Sequence, residues 1–137
     1  MAFTALANAL MPVRTPVVEH GWILVDDEPA FRATPGAAAP ARLLPSGDAY
    51  FLLWQRAREL LVPEATRRAR LWTTRVWPGA PLVNGEVAGV WRRSAGRVSI
   101  DLWRRLTAAE WAAVEAEAMS LPLPGRIVVE RTVNDAP

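Results

Sequence analysis

Between Pro81 and Leu106 apolar and polar residues alternate along the chain, and turn-forming residues cut the alternation twice. Asn84-Gly85 accepts a positive φ at both central positions of a type I′ turn, so it closes a hairpin between Ala80–Val83 and Glu86–Arg93. Ser94-Ala95-Gly96 reverses the chain again as a three-residue loop, with Gly96 in the left-handed position. The third strand, Arg97–Trp103, sets Val98, Ile100 and Leu102 against Arg97, Ser99, Asp101 and Trp103. The middle strand divides in the same way, with Val87, Gly89, Trp91 and Arg93 on one side and Ala88, Val90 and Arg92 on the other. A side-chain period of two with one apolar face is the pattern of an antiparallel meander, one face buried and the other wet.

Downstream, Thr107-Ala108-Ala109-Glu110 reads as a capping box opening a helix from Ala108 to about Met119. Ala108, Trp111, Val114, Ala118 and Leu121 form its inward stripe, and Glu110, Glu115 and Glu117 face water. Pro122 and Pro124-Gly125 end it, and Ile127–Val133 is a last strand. Upstream, Phe3–Leu10 has helical spacing but is too short to hold a helix alone, so it docks or frays. Pro16–Val25 reads as a strand, Asp26–Pro29 as a turn, and Ala30–Thr34 as a segment that pairs back. Ala41–Leu44 and Ala49–Trp54 read as strand-like around the turn Pro45-Ser46-Gly47-Asp48, with Tyr50–Trp54 running through the middle of the fold. Gln55–Leu61 is helix or extended, and Pro63-Glu64 opens a helical segment reaching Trp72. The sum is one α+β domain over residues 1–137: a small antiparallel, β-rich, barrel-like core at 15–133, with a well-capped C-terminal helix and a shorter central one. Residues 1–14 are an N-terminal segment that frays or docks on it.

Composition narrows the chemistry. The chain has 137 residues, 51% of them hydrophobic and seven of them Trp, enough for one core. All 16 basic residues are Arg, yet the formal net charge is only +2, so clustering rather than total charge decides whether a polyanion could bind. With no Cys and a single His, His20, neither a disulfide framework, a thiolate metal site nor a multi-histidine site can be built, and no cofactor is expected. The N-terminal apolar run precedes its first charge, Arg14, which is the reverse of a secretory signal. No stretch approaches the ~20 apolar residues of a membrane span, so a cytoplasmic protein is expected.

Arginine is the residue type that clusters: Arg67, Arg68 and Arg70 on one helix, Arg92 and Arg93 ending one strand, Arg97 opening the next, Arg104 and Arg105 after it. A guanidinium fork donates two parallel hydrogen bonds to phosphate and keeps its charge. Set against that, arginines in a lysine-free chain also serve as solubilising charges paired with nearby acids. Alternation sends Arg92 and Arg93 to opposite faces, so one of that doublet serves a given surface. Trp91 is an aromatic able to stack on an exposed base, or a core residue. His20 and Asp48 read as structural, and the chain carries no phosphate-binding loop, nucleophile elbow or zinc-protease motif.

Two blocks together carry a family resemblance. Ala41–Leu61, ARLLPSGDAYFLLWQRARELL, is similar to a Leu-Leu-Pro–x–x–Asp–x–Tyr block followed by an Arg-containing stretch. Leu82–Val98, LVNGEVAGVWRRSAGRV, resembles a block in which Asn84, Gly85, Val87, Gly89, Trp91, Arg92, Arg93, Gly96, Arg97 and Val98 fall in register. Both resemble the C-terminal region of the bacterial winged-helix DNA-binding family that includes DNA glycosylases acting on interstrand crosslinks and alkylated bases. Those relatives are much longer, and their glycosylases position water with a Gln–apolar–Gln motif. This chain has one glutamine, Gln55, so that motif is absent. The resemblance implies a non-catalytic accessory domain of DNA repair, contacting duplex DNA through Arg67, Arg68, Arg92, Arg93 and Arg97, with Trp91 as an aromatic contact. The alternative is an interaction module that docks a winged-helix protein or a second copy and binds no nucleic acid.

Overall fold

The computed structural model describes residues 10–15, 20–50, 52, 55–94, 96–123 and 127–134. The chain divides into two compact units, residues 1–37 and 38–137.

In the first unit, β1 (Leu10–Val13) pairs antiparallel with β2 (Gly21–Leu24), Leu10 opposite Leu24 and Val13 opposite Gly21. Leu10 therefore belongs to a strand; residues 3–9 of the expected helical segment and residues 16–19 of the expected strand lie outside the described residues. A short 3-10 turn at Val25–Asp27 leads into α1 (Glu28–Arg32) in place of a segment pairing back. Pro29 in the first turn and the Arg32–Glu28 pair at 2.7 Å, one helical turn apart, account for that helix. Trp22 and Leu24 alternate outward on β2 and stay exposed.

The second unit contains β3 (Ala41–Leu44), α2 (Gln55–Leu61), α3 (Ala65–Leu71), β4 (Ala80–Val83), β5 (Glu86–Val87), β6 (Gly89–Ser94), β7 (Arg97–Leu102), α4 (Ala108–Ser120) and β8 (Val128–Val133). The strands form two three-stranded sheets, β3-β4-β5 and β6-β7-β8. Neither sheet closes on itself, so the barrel-like expectation is replaced by open sheets covered by helices. The sheets are also not uniformly antiparallel: β8 runs parallel to β7. Parallel neighbours need a long crossover, and α4 supplies it.

Asn84 (φ 51°) and Gly85 (φ 85°) make the expected turn, pairing Val83 with Glu86. The strand that follows is not continuous. The Ala88 amide bonds the Pro81 carbonyl, but Gly79 then faces Trp91, so one strand advances two residues while the other advances three. The extra residue is a bulge, and it hands the ribbon from one sheet to the other. It also changes which side chains share a face. Ala88 and Trp91 enter one core cluster, while Val87 and Val90 pack in a second, which overturns simple alternation across the segment. The first cluster holds Leu43, Val83, Val98, Ile100 and Leu102 against Val114 and Ala118 of α4. The second holds Val62 and Leu71, from the α2–α3 side, with Ala80, Val90 and Trp103. Trp103, expected on the wet face, follows the end of β7 and is buried, 3% exposed. The β6–β7 loop is also shorter than expected, with two residues between Ser94 and Arg97; Gly96 takes φ 78° there, and Ala95 lies outside the described residues.

The turn at Pro45–Asp48 forms as expected, with the Asp48 carboxylate accepting from the Tyr50 amide at 2.8 Å. Of the expected Ala49–Trp54 strand, Ala49 and Tyr50 lie in a turn, Tyr50 and Leu52 are exposed, 41% and 47%, and Phe51, Leu53 and Trp54 lie outside the described residues. Gln55–Leu61 is helical, and Ala65–Leu71 follows Glu64 as its N-cap position.

Helix α4 carries the full capping box, Thr107 Oγ1 accepting from the Glu110 amide at 3.2 Å and Glu110 Oε2 from the Thr107 amide at 2.8 Å. Val114 and Ala118 are buried as expected, Trp111 and Leu121 are half-buried, and Ala108 is exposed. Glu110 and Glu117 turn inward rather than to water. Glu117 Oε1 accepts from the Leu43 amide at 3.2 Å, covering a backbone donor of β3. Glu110 also takes two bonds from Arg104, at 2.8 and 3.1 Å, and one from the Asn84 side-chain amide at 3.2 Å. One carboxylate thus ties the hairpin turn, the strand exit and the helix start together.

The Arg104 bonds, aided by the Thr107 amide, pull the Glu110 carboxyl down from 4.5 to about 2. A folded-state value below the unfolded one means the stabilisation is complete above about 4.5 and is lost as pH falls toward about 2. Glu110→Gln is therefore expected to melt earlier than the parent at neutral pH, with the gap in Tm shrinking as pH falls through that window. Thermal melts of both proteins across the acid limb measure this; a constant gap would place the effect elsewhere.

Candidate nucleic-acid interface

The β6–β7 hairpin outruns the core that its inner residues fill. Arg93 lies opposite Val98 and Arg92 opposite Ser99, so the two guanidiniums leave from opposite faces, as alternation requires. Both are exposed, and among the described residues neither side chain makes a hydrogen bond or ion pair. Arg97, across from Ser94, is also exposed but reaches Glu130 Oε1 of the neighbouring strand at 3.2 Å.

The α3 arginines are placed differently. Arg67 pairs with Glu64 at 3.0 Å and lies over the Trp103 ring, its carbon 5.8 Å from the centroid. Arg68 turns back onto the Val62 and Pro63 carbonyls just after α2, with the Val62 bond at 2.9 Å. It satisfies acceptors that a helix end leaves without partners. Arg70 bonds Asp101 of β7, whose other oxygen accepts from Asn134 at 2.6 Å. Arg67, Arg68 and Arg97 are thus held by the protein's own acceptors, and Arg92 and Arg93 are not.

Arg92 and Arg93 border a groove of about 590 Å³ walled by Leu43, Val76, Trp77, Trp91 and Leu123. Arg67 borders a separate cavity beside Trp103, so the five arginines do not line one site. Trp91 is only 7% exposed. Its indole N–H donates to the Leu44 carbonyl at 2.8 Å, and its ring lies where a Cβ on Gly79 would come within 2.1 Å of it. The Trp77 N–H is likewise spent on the Thr73 carbonyl at 2.7 Å. The groove therefore offers apolar walls and guanidinium groups, with little else polar. Among the described residues no group of His, Cys, Asp and Glu could hold a metal ion. No helix among them is long and apolar enough to cross a membrane.

A family profile described as DNA glycosylase AlkZ-like matches residues 1–122, most of the chain. The chain belongs to the AlkZ-like DNA glycosylase family. Among solved structures it resembles the DNA glycosylase AlkZ of Streptomyces sahachiroi, with a TM-score of 0.69 at 19% identity. That match covers 95% of this chain and 35% of that one, so this chain spans about a third of the AlkZ structure. At this identity the likeness is one of fold. No curated protein matches the chain.

The Leu82–Val98 block lies within the matched residues, and its glycines and Trp91 have packing roles in this chain. Gly89 stands where a Cβ would come within 2.2 Å of the Asp101 carbonyl oxygen, and Gly85 takes a positive φ. Trp91 fills the space beside Gly79. The polar hub at Glu110 and the Arg70–Asp101–Asn134 chain were not foreseen from the sequence, because their members come from separate elements.

Proposed function

We propose that this AlkZ-like chain is a non-catalytic accessory domain of DNA repair that grips the phosphate backbone of duplex DNA. It corresponds to the C-terminal region of the winged-helix glycosylases, without their Gln–apolar–Gln motif, and works in the bacterial cytoplasm. The observation that carries the reading is the exposed Arg92–Arg93 pair, without internal acceptors among the described residues, in a chain of a DNA glycosylase family. Arg97 joins them by exchanging its exposed Glu130 partner for phosphate, since a surface pair of that kind holds only weakly. Arg67 and Arg68 contribute less, because leaving Glu64 or the carbonyls after α2 has its own cost. Trp91 supports the hairpin from beneath and does not stack on bases.

The test is fluorescence anisotropy with duplex DNA over a salt series. Each lost phosphate contact lowers the salt slope by about one, and Arg92 and Arg93 leave opposite faces, so Arg92→Glu with Arg93→Glu is expected to lower it by about one, uniformly across sequences. Arg68→Ala should leave the slope nearly unchanged and lower Tm. Binding by the parent that ignores salt would sink the reading. A second reading, docking of a winged-helix protein or a second copy, draws on the exposed Trp22 and Leu24 of β2; light scattering that shows a dimer would favour it.

A further inference from the structure

We infer that the groove beside Arg92 and Arg93 is a docking site for an extended peptide segment of a partner protein that alternates apolar and acidic residues. The charge argument comes first. Most of the groove wall is apolar, and the charged side chains at its border, Arg92 and Arg93, are both cationic and unpaired among the described residues. An occupant must therefore bring apolar groups for the walls and anionic groups for the border.

The geometry then separates a peptide from a nucleotide. A base needs an open aromatic face or edge donors and acceptors. Trp91 is nearly buried with Gly79 against its ring, and the N–H groups of Trp77 and Trp91 are both spent on backbone carbonyls, at 2.7 and 2.8 Å. An apolar side chain needs only the contact area these rings and Val76 offer. The backbone adds a further element. The amide and carbonyl of Trp91 both bond Gly79, at 2.9 Å each, so strand alternation turns those of Arg93 toward the same outer edge. β4 begins at Ala80 and Pro78 has no N–H, so among the described residues no strand of the sheet covers that edge. An added strand places its apolar side chains on the groove face and its alternate carboxylates on the opposite face beside Arg92, the mode of recognition in which a peptide extends a sheet edge. Because the same arginines would face DNA phosphate, peptide and duplex would compete.

The probe is a short fluorescein-labelled peptide of alternating leucine and aspartate, titrated with the full chain and followed by anisotropy. A peptide of alternating leucine and lysine is the control. The acidic peptide is expected to bind at least about tenfold more tightly than the basic one, and Arg92→Glu to weaken it by about tenfold or more. Val76 is 71% exposed, so Val76→Asn is compatible with folding, checked by circular dichroism; it should weaken the acidic peptide several-fold. It should also leave the salt slope for duplex DNA unchanged, which separates this inference from the DNA reading. Equal affinity for the two peptides, no binding of either, or indifference to Val76→Asn would overturn it. Competition for the groove by a single-stranded oligonucleotide that is itself sensitive to Val76→Asn would also overturn it, in favour of a nucleotide site.

Discussion

Gly89→Ala is expected to cost about 3 kcal/mol or more. Gly89 pairs with Leu102 in the β6–β7 ladder, immediately after the point where the ribbon changes sheets. A Cβ there would come within 2.2 Å of the Asp101 carbonyl oxygen and 3.0 Å of the Leu102 Cα. Both are backbone atoms held in the ladder, so neither can swing aside as a flexible side-chain tip would. Relief would require parting the two strands, and with them Val98, Ile100 and Leu102 from the core under α4. Against a typical total stability of about 5–15 kcal/mol the loss is large. Urea unfolding followed by tryptophan fluorescence measures it; a midpoint equal to that of the parent would show that the strands can separate locally without cost.

Trp91→Ala is expected to cost about 3–5 kcal/mol, the usual range for removing a large buried aromatic. The ring joins the first core cluster, and its N–H is bonded to the Leu44 carbonyl, tying β6 to the end of β3. Trp91→Phe isolates the second contribution. It keeps most of the apolar area but leaves that carbonyl without its donor, for a loss of about 1–3 kcal/mol. The same variant distinguishes a core residue from a base-stacking one. A stacking tryptophan would leave Tm unchanged when replaced by phenylalanine and weaken DNA binding. The structure leads to the reverse, a lower Tm with duplex affinity preserved in the folded fraction.

The legible parts of the fold were those whose chemistry is local. Asn84-Gly85 supports a positive φ at each position whatever surrounds it, and the turn appears where the dipeptide lies. Thr107 and Glu110 satisfy each other's backbone donors within one helical turn, so the start of α4 was readable to the residue. Val98, Ile100 and Leu102 alternate on an undistorted strand and are buried together. Where the chain departs from regular geometry, pattern reading failed. The single extra residue between Ala88 and Trp91 moves Val90 from one packing face to another, and alternation has no way to register it. The run Tyr50-Phe51-Leu52 is apolar enough for a central strand, yet Tyr50 and Leu52 are exposed. Apolar content alone does not say whether a partner strand exists.

The candidate site divides in the same way. That arginines cluster near the Ser94–Arg97 reversal is visible in the sequence, and so is the opposite orientation of Arg92 and Arg93. Which of them remain available is not, because an ion pair depends on what a distant segment brings near. Glu130 comes to Arg97 only because β8 runs parallel beside β7, and the carbonyls that hold Arg68 lie at the end of another helix. By itself the sequence determined the Asn84-Gly85 and Pro45–Asp48 turns, the capped helix and the inward face of β7, since these rest on neighbours in the chain, and it carried the likeness to a DNA glycosylase family. Only the tertiary structure decided the open sheets, the parallel last strand, the burial of Trp91 and Trp103, and the freedom of two arginines. Those follow from long-range contacts whose energies compete across the whole domain, and a local pattern cannot rank them.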